Sequence, residues 1–187
     1  MSCSHCGMSC THKGEDMSLE IFRKALENNS DDYFSIGGGE PTLHPFFWQM
    51  LMECVAVNES VWLATNGSNT QISLALERMA RNGVIGCALS LDPFHDPIDS
   101  VVVNAFRKTY THADDDRREI RDTSKSLIKA GRCKNGEKVC ICPDLFIKPN
   151  GDVMGCGCDK AKKYGNVTTG YKVPKNYTWG GCSLKKD

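Results

Sequence analysis

The sequence predicts an α/β fold: a parallel sheet built from repeated strand–helix units, followed by a small cysteine-rich segment with a β-hairpin. Three observations carry this. Short apolar runs alternate with stretches whose apolar residues recur at helical spacing, the pattern of strands joined by crossover helices. Residues able to carry chemistry fall just past the predicted strands, where parallel sheets collect ligands. The eleven cysteines of this 187-residue chain include three in the first ten residues and six from residue 133 onward.

In chain order, Asp16 or Ser18 caps a helix whose Ile21, Phe22, Ala25 and Leu26 share one face. Tyr33-Phe34-Ser35-Ile36 is a short strand running into Gly37-Gly38-Gly39. Pro45 suits the first position of a helix bearing Phe47, Met50, Leu51 and Cys54 at helical spacing. Val61 to Thr65 reads as a buried strand stopped by Asn66-Gly67. Ile72, Ala75, Leu76 and Met79 mark the next helix, and Cys87 to Leu91 the next strand. Asp99 caps a helix carrying Val102, Ala105 and Phe106. After Leu91 no clear fifth and sixth barrel strands are evident, so the barrel reads as shorter than usual, and the charged run 112–126 reads as a solvated helix or connector. A boundary near residue 131 divides the chain into 1–131 and 132–187. In the second part, Leu145–Lys148 and Asp152–Met154 flank Pro149-Asn150-Gly151, a good hairpin connection.

Composition narrows the function classes. Lys plus Arg equals Asp plus Glu, 23 against 23, so charge gives no general reason to expect nucleic acid or an anionic membrane as partner. The length suffices for one sizeable core. No apolar run is long enough to span a bilayer, and the N-terminus lacks the pattern of a signal peptide. Eleven cysteines in such a chain point to metal binding in a reducing compartment, so the expected location is cytoplasmic. Cys54 and Cys87 are set apart: alone in apolar runs, they serve as small hydrophobes.

Cys3, Cys6 and Cys10 are too closely spaced for relaxed disulfides and suit a soft metal or an iron–sulfur cluster. On residues alone, Cys3-Ser4-His5-Cys6 equally serves as half of a zinc site that Cys10 or His12 completes. Gly38-Gly39-Glu40 offers closely approachable backbone and an acceptor for an ammonium group.

With these motifs in place, the chain resembles the radical S-adenosylmethionine (radical SAM) superfamily. The resemblance rests on Cys3-Ser4-His5-Cys6, Gly38-Gly39-Glu40-Pro41-Thr42-Leu43-His44-Pro45, Thr65-Asn66-Gly67 and Ser90-Leu91-Asp92-Pro93-Phe94-His95, in the family's order over roughly the first half of the chain. It implies a partial (β/α) barrel, here a reduced one. It also implies a 4Fe–4S cluster on three thiolates, with S-adenosylmethionine on the open iron. Gly38, Gly39 and Glu40 would bind the methionine amino group, Ser90 and Asp92 the ribose hydroxyls, and Asn66 the methionine or ribose part. One electron from an external donor would cleave the sulfonium and leave a 5′-deoxyadenosyl radical that abstracts a substrate hydrogen. One departure stands out. The family spacing is Cys-x-x-x-Cys-x-x-Cys, and Cys3 and Cys6 align with its second and third cysteines. Either the first falls before residue 1, or Cys10 supplies the third thiolate; spacing leaves both open. His5 packs over the cluster in this reading, His44 sits in the turn leading into the next helix, and His95 is a hydrogen-bonded turn residue.

The C-terminal segment Cys140-x10-Gly151-x4-Cys156 resembles the first motif of SPASM/twitch extensions, with Cys182 returning to complete ligation. That implies at most one auxiliary iron–sulfur cluster among Cys140, Cys142, Cys156, Cys158 and Cys182. A structural zinc site on the pairs Cys140-Ile141-Cys142 and Cys156-Gly157-Cys158 is the competing reading. Relatives with auxiliary clusters often modify peptides or proteins, so a peptide or protein is the expected substrate class. Two alternatives stay open: a degenerate member without radical chemistry, and a zinc-stabilised binding module.

Overall fold

Ser18 accepts a hydrogen bond from the Ile21 amide and starts helix α1 (Leu19–Glu27), whose Phe22 and Ala25 are buried. The computed structural model describes residues 3–29, 32–110, 115–127, 129–136, 145–158 and 161–174. It divides into two compact units, Met1–Asn29 with Ser126–Asp187, and Ser30–Lys125. The N-terminal cysteine segment is thus grouped with residues from beyond 125.

The Ser30–Lys125 unit is a strand–helix repeat: β1 (Tyr33–Ile36), α2 (Phe47–Val57), β2 (Ser60–Thr65), α3 (Thr70–Arg81), β3 (Gly86–Ser90), α4 (Ser100–Arg107) and β4 (Arg118–Arg121). The strands form one four-stranded sheet in the order β1-β2-β3-β4, parallel throughout. The chain is therefore an α/β protein with a partial β/α architecture. All five residues of β3 are buried, as expected of an inner strand covered on both faces. Leu51, Cys54, Val61, Leu63, Leu76, Ile85, Cys87, Leu89 and Val102 form the core, each at most 1% exposed. Each large aliphatic side chain so buried contributes about 2 kcal/mol.

Three expectations need correction. The charged run 112–126 is not simply a solvated helix or connector: Arg118–Arg121 is an edge strand paired with β3. Its lead residue is covered rather than solvated. Arg118 donates from Nη1 to Glu77 Oε1 at 2.9 Å and to the Ala105 carbonyl at 2.6 Å, and from Nη2 to the Lys108 carbonyl at 2.7 Å and to Asp116. Its side chain is only 5% exposed. Of Ile72, Ala75, Leu76 and Met79, the apolar positions that mark α3, only Leu76 is buried, and Ser73, Glu77 and Ala80 complete the buried set. The face turns because Glu77, held by Arg81 and Arg118, can be buried as an ion pair. Pro45 is not the first residue of α2. It lies in the turn after a 3₁₀ segment at Pro41–Leu43, and the His44 ring Nδ1 takes the Phe46 amide at 3.1 Å.

The other unit contains α1 and a four-stranded antiparallel sheet, β5 (Phe146–Ile147), β6 (Asp152–Met154), β7 (Lys163–Asn166) and β8 (Gly170–Tyr171), in that order. The expected hairpin joins β5 and β6: the Gly151 amide donates to the Lys148 carbonyl at 2.8 Å and the Lys148 amide to the Asp152 carbonyl at 2.9 Å. Within this unit, the Tyr171 hydroxyl donates to the Asn28 carbonyl at the end of α1. No helix among the described residues is long and apolar enough to cross a membrane.

Candidate functional site

Cys3, Cys6 and Cys10 occupy one turn-rich loop. The Cys6 amide donates to the Cys3 carbonyl at 3.2 Å and the Ser9 amide to the Cys6 carbonyl at 3.4 Å. Ser9 takes a left-handed φ of 56°, which turns the chain so that the Cys10 amide reaches Cys6 Sγ at 3.3 Å. The Cys10 thiol also donates to Cys6, and this bond, with the amides of Cys10 and Met8 and the Arg132 charge, brings the Cys6 thiol down to about 5. The same bond, together with burial, pushes the Cys10 thiol up, and burial chiefly raises that of Cys3. Two of the three sequence-assigned thiols are thus in direct contact. A residue that sequence reasoning missed holds the loop: Arg132 donates from Nε to the Cys3 carbonyl at 3.0 Å, from Nη2 to the Cys10 carbonyl at 2.5 Å, and from its amide to the Cys6 carbonyl at 3.0 Å.

In the Ser30–Lys125 unit, the chemistry-bearing residues sit at the carboxyl ends of the strands, as parallel topology requires. Gly38 has a φ of 117°, open to glycine and strained for other residues. A Cβ added at Gly37, Gly38 or Gly39 would meet nothing within 4 Å, so this stretch of backbone faces open space. Glu40 is fixed beside it. Its Oε1 accepts from the Thr42 amide at 3.3 Å, the Thr42 hydroxyl at 2.7 Å and the Thr65 hydroxyl at 2.8 Å. Its Oε2 accepts from the Asn66 amide at 2.8 Å. Glu40 and Asn66 are therefore brought together, and the carboxylate ties the end of β1 to the end of β2. Asn66 is 7% exposed and its Oδ1 takes the Ser68 amide.

Ser90, the last residue of β3, is 6% exposed, and past it the Asp92 carboxylate is fully buried. Asp92 accepts from the Phe94 amide at 3.0 Å and from the Thr123 hydroxyl beyond β4, and lies 3.0 Å from His95 Nδ1. It closes the β3 end onto the β4 end much as Glu40 closes β1 onto β2.

Among the later cysteines, Cys156 and Cys158 are buried in a cluster with Ala130, and Cys133 is buried nearby in sequence. The N-terminal loop reaches this segment: a Cβ on Gly157 would come within 2.9 Å of Met8 Sδ, and Gly7 lies against Ala130. Sequence reasoning treats the two cysteine groups as separate constellations, whereas they share one unit. Cys140, Cys142 and Cys182 lie outside the described residues. Cys54 and Cys87 are completely buried, and burial pushes both thiols up to about 12, so they remain protonated packing residues.

A parallel β/α unit with a glycine-rich, carboxylate-bearing first strand end, and a separate thiol-rich loop, are the features on which the motif resemblance rests. Comparison with known proteins finds partial similarity to curated maturases, in line with the radical SAM resemblance. The chain is 31% identical over 98 residues to mycofactocin maturase MftC of Mycobacterium ulcerans (strain Agy99), covering 46% of this chain and 26% of that protein. The mycofactocin maturase of Mycobacterium tuberculosis (strain CDC 1551 / Oshkosh) is 31% identical over 97 residues, covering 49% of this chain and 24% of that protein. The protein from strain ATCC 25618 / H37Rv gives the same figures. The chain spans about a quarter of the length of these curated relatives. No protein-family model matches it, and no solved structure matches it.

Proposed function

We propose that this chain carries the S-adenosylmethionine-binding part of a radical SAM enzyme that acts on a peptide or protein. The observation that supports this best is the end of β1, where Gly37, Gly38 and Gly39 face open space beside a fixed Glu40. An amino-acid ligand needs such a combination: backbone acceptors that no side chain crowds, and a carboxylate whose position is not lost to rotamer freedom. Glu40 Oε2 accepts from the Asn66 amide, and a carboxylate oxygen can take more than one donor, so Glu40 would hold an ammonium group together with the backbone of Gly38 and Gly39. Asn66 and Ser90 would contact the methionine or ribose part. Asp92 is buried and already takes several donors, so in this reading it orients the loop that follows Ser90.

The donor set of Cys3, Cys6 and Cys10, three soft thiols on one loop, fits a 4Fe–4S cluster. When bound, the cluster and S-adenosylmethionine supply one-electron chemistry ending in hydrogen abstraction from substrate, driven by an external electron donor. The chain's part is to hold the thiolates on the cysteine loop and the amino-acid end of the cofactor beside Glu40. Cys156 and Cys158, with Cys140, Cys142 and Cys182, are the candidate ligands of one auxiliary iron–sulfur cluster. The maturase relatives favour a peptide substrate.

Anaerobic reconstitution followed by iron, acid-labile sulfide and zinc analysis tests the reading. Iron and sulfide are expected together, with dithionite-dependent release of 5′-deoxyadenosine. Stoichiometric zinc without sulfide would overturn it.

A further inference from the structure

The loop of Cys3, Cys6 and Cys10 is built from tight turns. Its internal links are single-turn hydrogen bonds of 3.2–3.4 Å, at the long end of the normal range. Its one left-handed non-glycine residue, Ser9, adds strain. Within the loop the Cys6 amide meets the Cys3 carbonyl and the Cys10 amide meets Cys6 Sγ, links that join the cysteines only pairwise. The contact that spans all three comes from a residue more than 120 positions away.

We infer that Arg132 is the positioning residue of the cysteine loop: by binding the backbone carbonyls of all three cysteines at once, it sets the spacing of the thiol ligands and places a fixed positive charge beside them. This rests on the reading of Cys3, Cys6 and Cys10 as cluster ligands. The guanidinium spans the loop, with Nε on Cys3 and Nη2 on Cys10, and the Arg132 amide takes the carbonyl of the middle cysteine, Cys6. Only a planar fork delivers two fixed donors in diverging directions; a lysine ammonium, on a flexible stem, does not. The neighbouring residue is shaped for the same approach. Gly131 has a φ of 55°, and a Cβ there would lie 2.5 Å from the Gly7 carbonyl oxygen and 2.6 Å from that of Cys6. Those atoms are backbone and cannot swing aside, so the segment reaches the loop only as glycine followed by arginine.

Geometry and charge can be separated with Arg132→Lys and Arg132→Met in the full chain. In metal-free protein, amide exchange followed by mass spectrometry is expected to accelerate at least about tenfold over residues 3–12 in both variants, reflecting loss of two charged hydrogen bonds. Unchanged protection in β6 and β7 certifies that the unit is folded. After anaerobic reconstitution, both variants are expected to lose iron to bathophenanthroline at least about threefold faster than wild type, by the same loss of positioning. The midpoint potential is expected to fall in Arg132→Met and to stay near wild type in Arg132→Lys, which keeps the charge. Wild-type exchange over residues 3–12 in both variants overturns the inference. So does Arg132→Lys matching wild type in both exchange and chelator resistance, since the fork would then be dispensable. An Arg132→Met potential equal to wild type overturns the electrostatic half. If the wild type takes up no iron and sulfide, the cluster reading falls, and the metal-free exchange comparison alone decides whether Arg132 pins the loop.

Discussion

The Thr65 hydroxyl, at the end of β2, donates to Glu40 Oε1, just past the end of β1, at 2.8 Å. Thr65 is 1% exposed, and the same hydroxyl accepts from the Gly67 amide at 3.2 Å. One buried oxygen thus fixes both the carboxylate and the turn that follows β2. Thr65→Val keeps the shape but deletes the donor and the acceptor. It is expected to cost about 2 kcal/mol, with the chemical-denaturation midpoint falling at unchanged slope. A midpoint equal to that of wild type would mean that Thr42 and Asn66 hold Glu40 without help.

Glu40 has two duties, and its variants should report both. Glu40→Ala leaves the Thr42 and Thr65 hydroxyls and the Asn66 amide without their acceptor in a largely buried setting, which predicts a loss of about 3 kcal/mol. Under the proposed function, the variant also loses S-adenosylmethionine binding by equilibrium dialysis while its iron content stays at the wild-type level, because the thiol ligands belong to other residues. Falling iron in a variant that still unfolds cooperatively would count against the assigned role.

The parts of this fold that were legible in the sequence are those governed by local rules. β1, β2 and β3 announce themselves as apolar runs broken by glycine, asparagine or proline, and Ser18 and Asp99 cap the helices that their positions suggest. β4 was hidden because Arg118-Glu119-Ile120-Arg121 looks solvated until the partners of Arg118 are known, and those partners lie on α3 and at the end of α4. The buried face of α3 was misplaced for the same reason: burial of Glu77 follows from a residue 41 positions later. In the site, residue types marked Glu40 and the cysteines. Of their supporting partners, Thr123 and Arg132 carry no local signal, and Thr65, though part of the Thr65-Asn66-Gly67 segment, gives no local sign that its hydroxyl holds Glu40, because each acts on a segment distant in sequence.

The Glu77–Arg118 pair yields a larger prediction. Both side chains are nearly buried, 4% and 5% exposed, and Arg118 also satisfies the carbonyls of Ala105 and Lys108. Arg118→Met removes the cation and leaves Glu77 with Arg81 at 3.2 Å as its ion-pair partner. Breaking one side of a buried pair costs about 3–5 kcal/mol, so this variant should be among the least stable single substitutions in the Ser30–Lys125 unit. The double variant Arg118→Met with Glu77→Met should recover part of the loss, since the buried carboxylate that the single variant leaves with only the part-exposed Arg81 is then removed as well. If the double variant is less stable than Arg118→Met alone, the cost lies in the lost carbonyl bonds instead.

Asp116 supplies the pH dependence. The Arg118 guanidinium, by direct hydrogen bonding first and then by charge, holds the Asp116 carboxyl below its ordinary value of 3.8. The folded state therefore favours the carboxylate more than the unfolded chain does. The resulting stability is fully present above the ordinary value and is lost as pH falls through the lower folded value. Asp116 is a quarter exposed, so solvent screening keeps its contribution modest. The test is a difference measurement: unfolding midpoints of wild type and Asp116→Asn taken from neutral pH down into the acid range. The variant is expected to be less stable at neutral pH, and the gap should narrow as acid protonates Asp116 in the wild type. A gap that stays constant across the ordinary carboxylate range would assign the loss to altered packing or hydrogen bonding, and Asp116 would then have no part in the acid limb of stability.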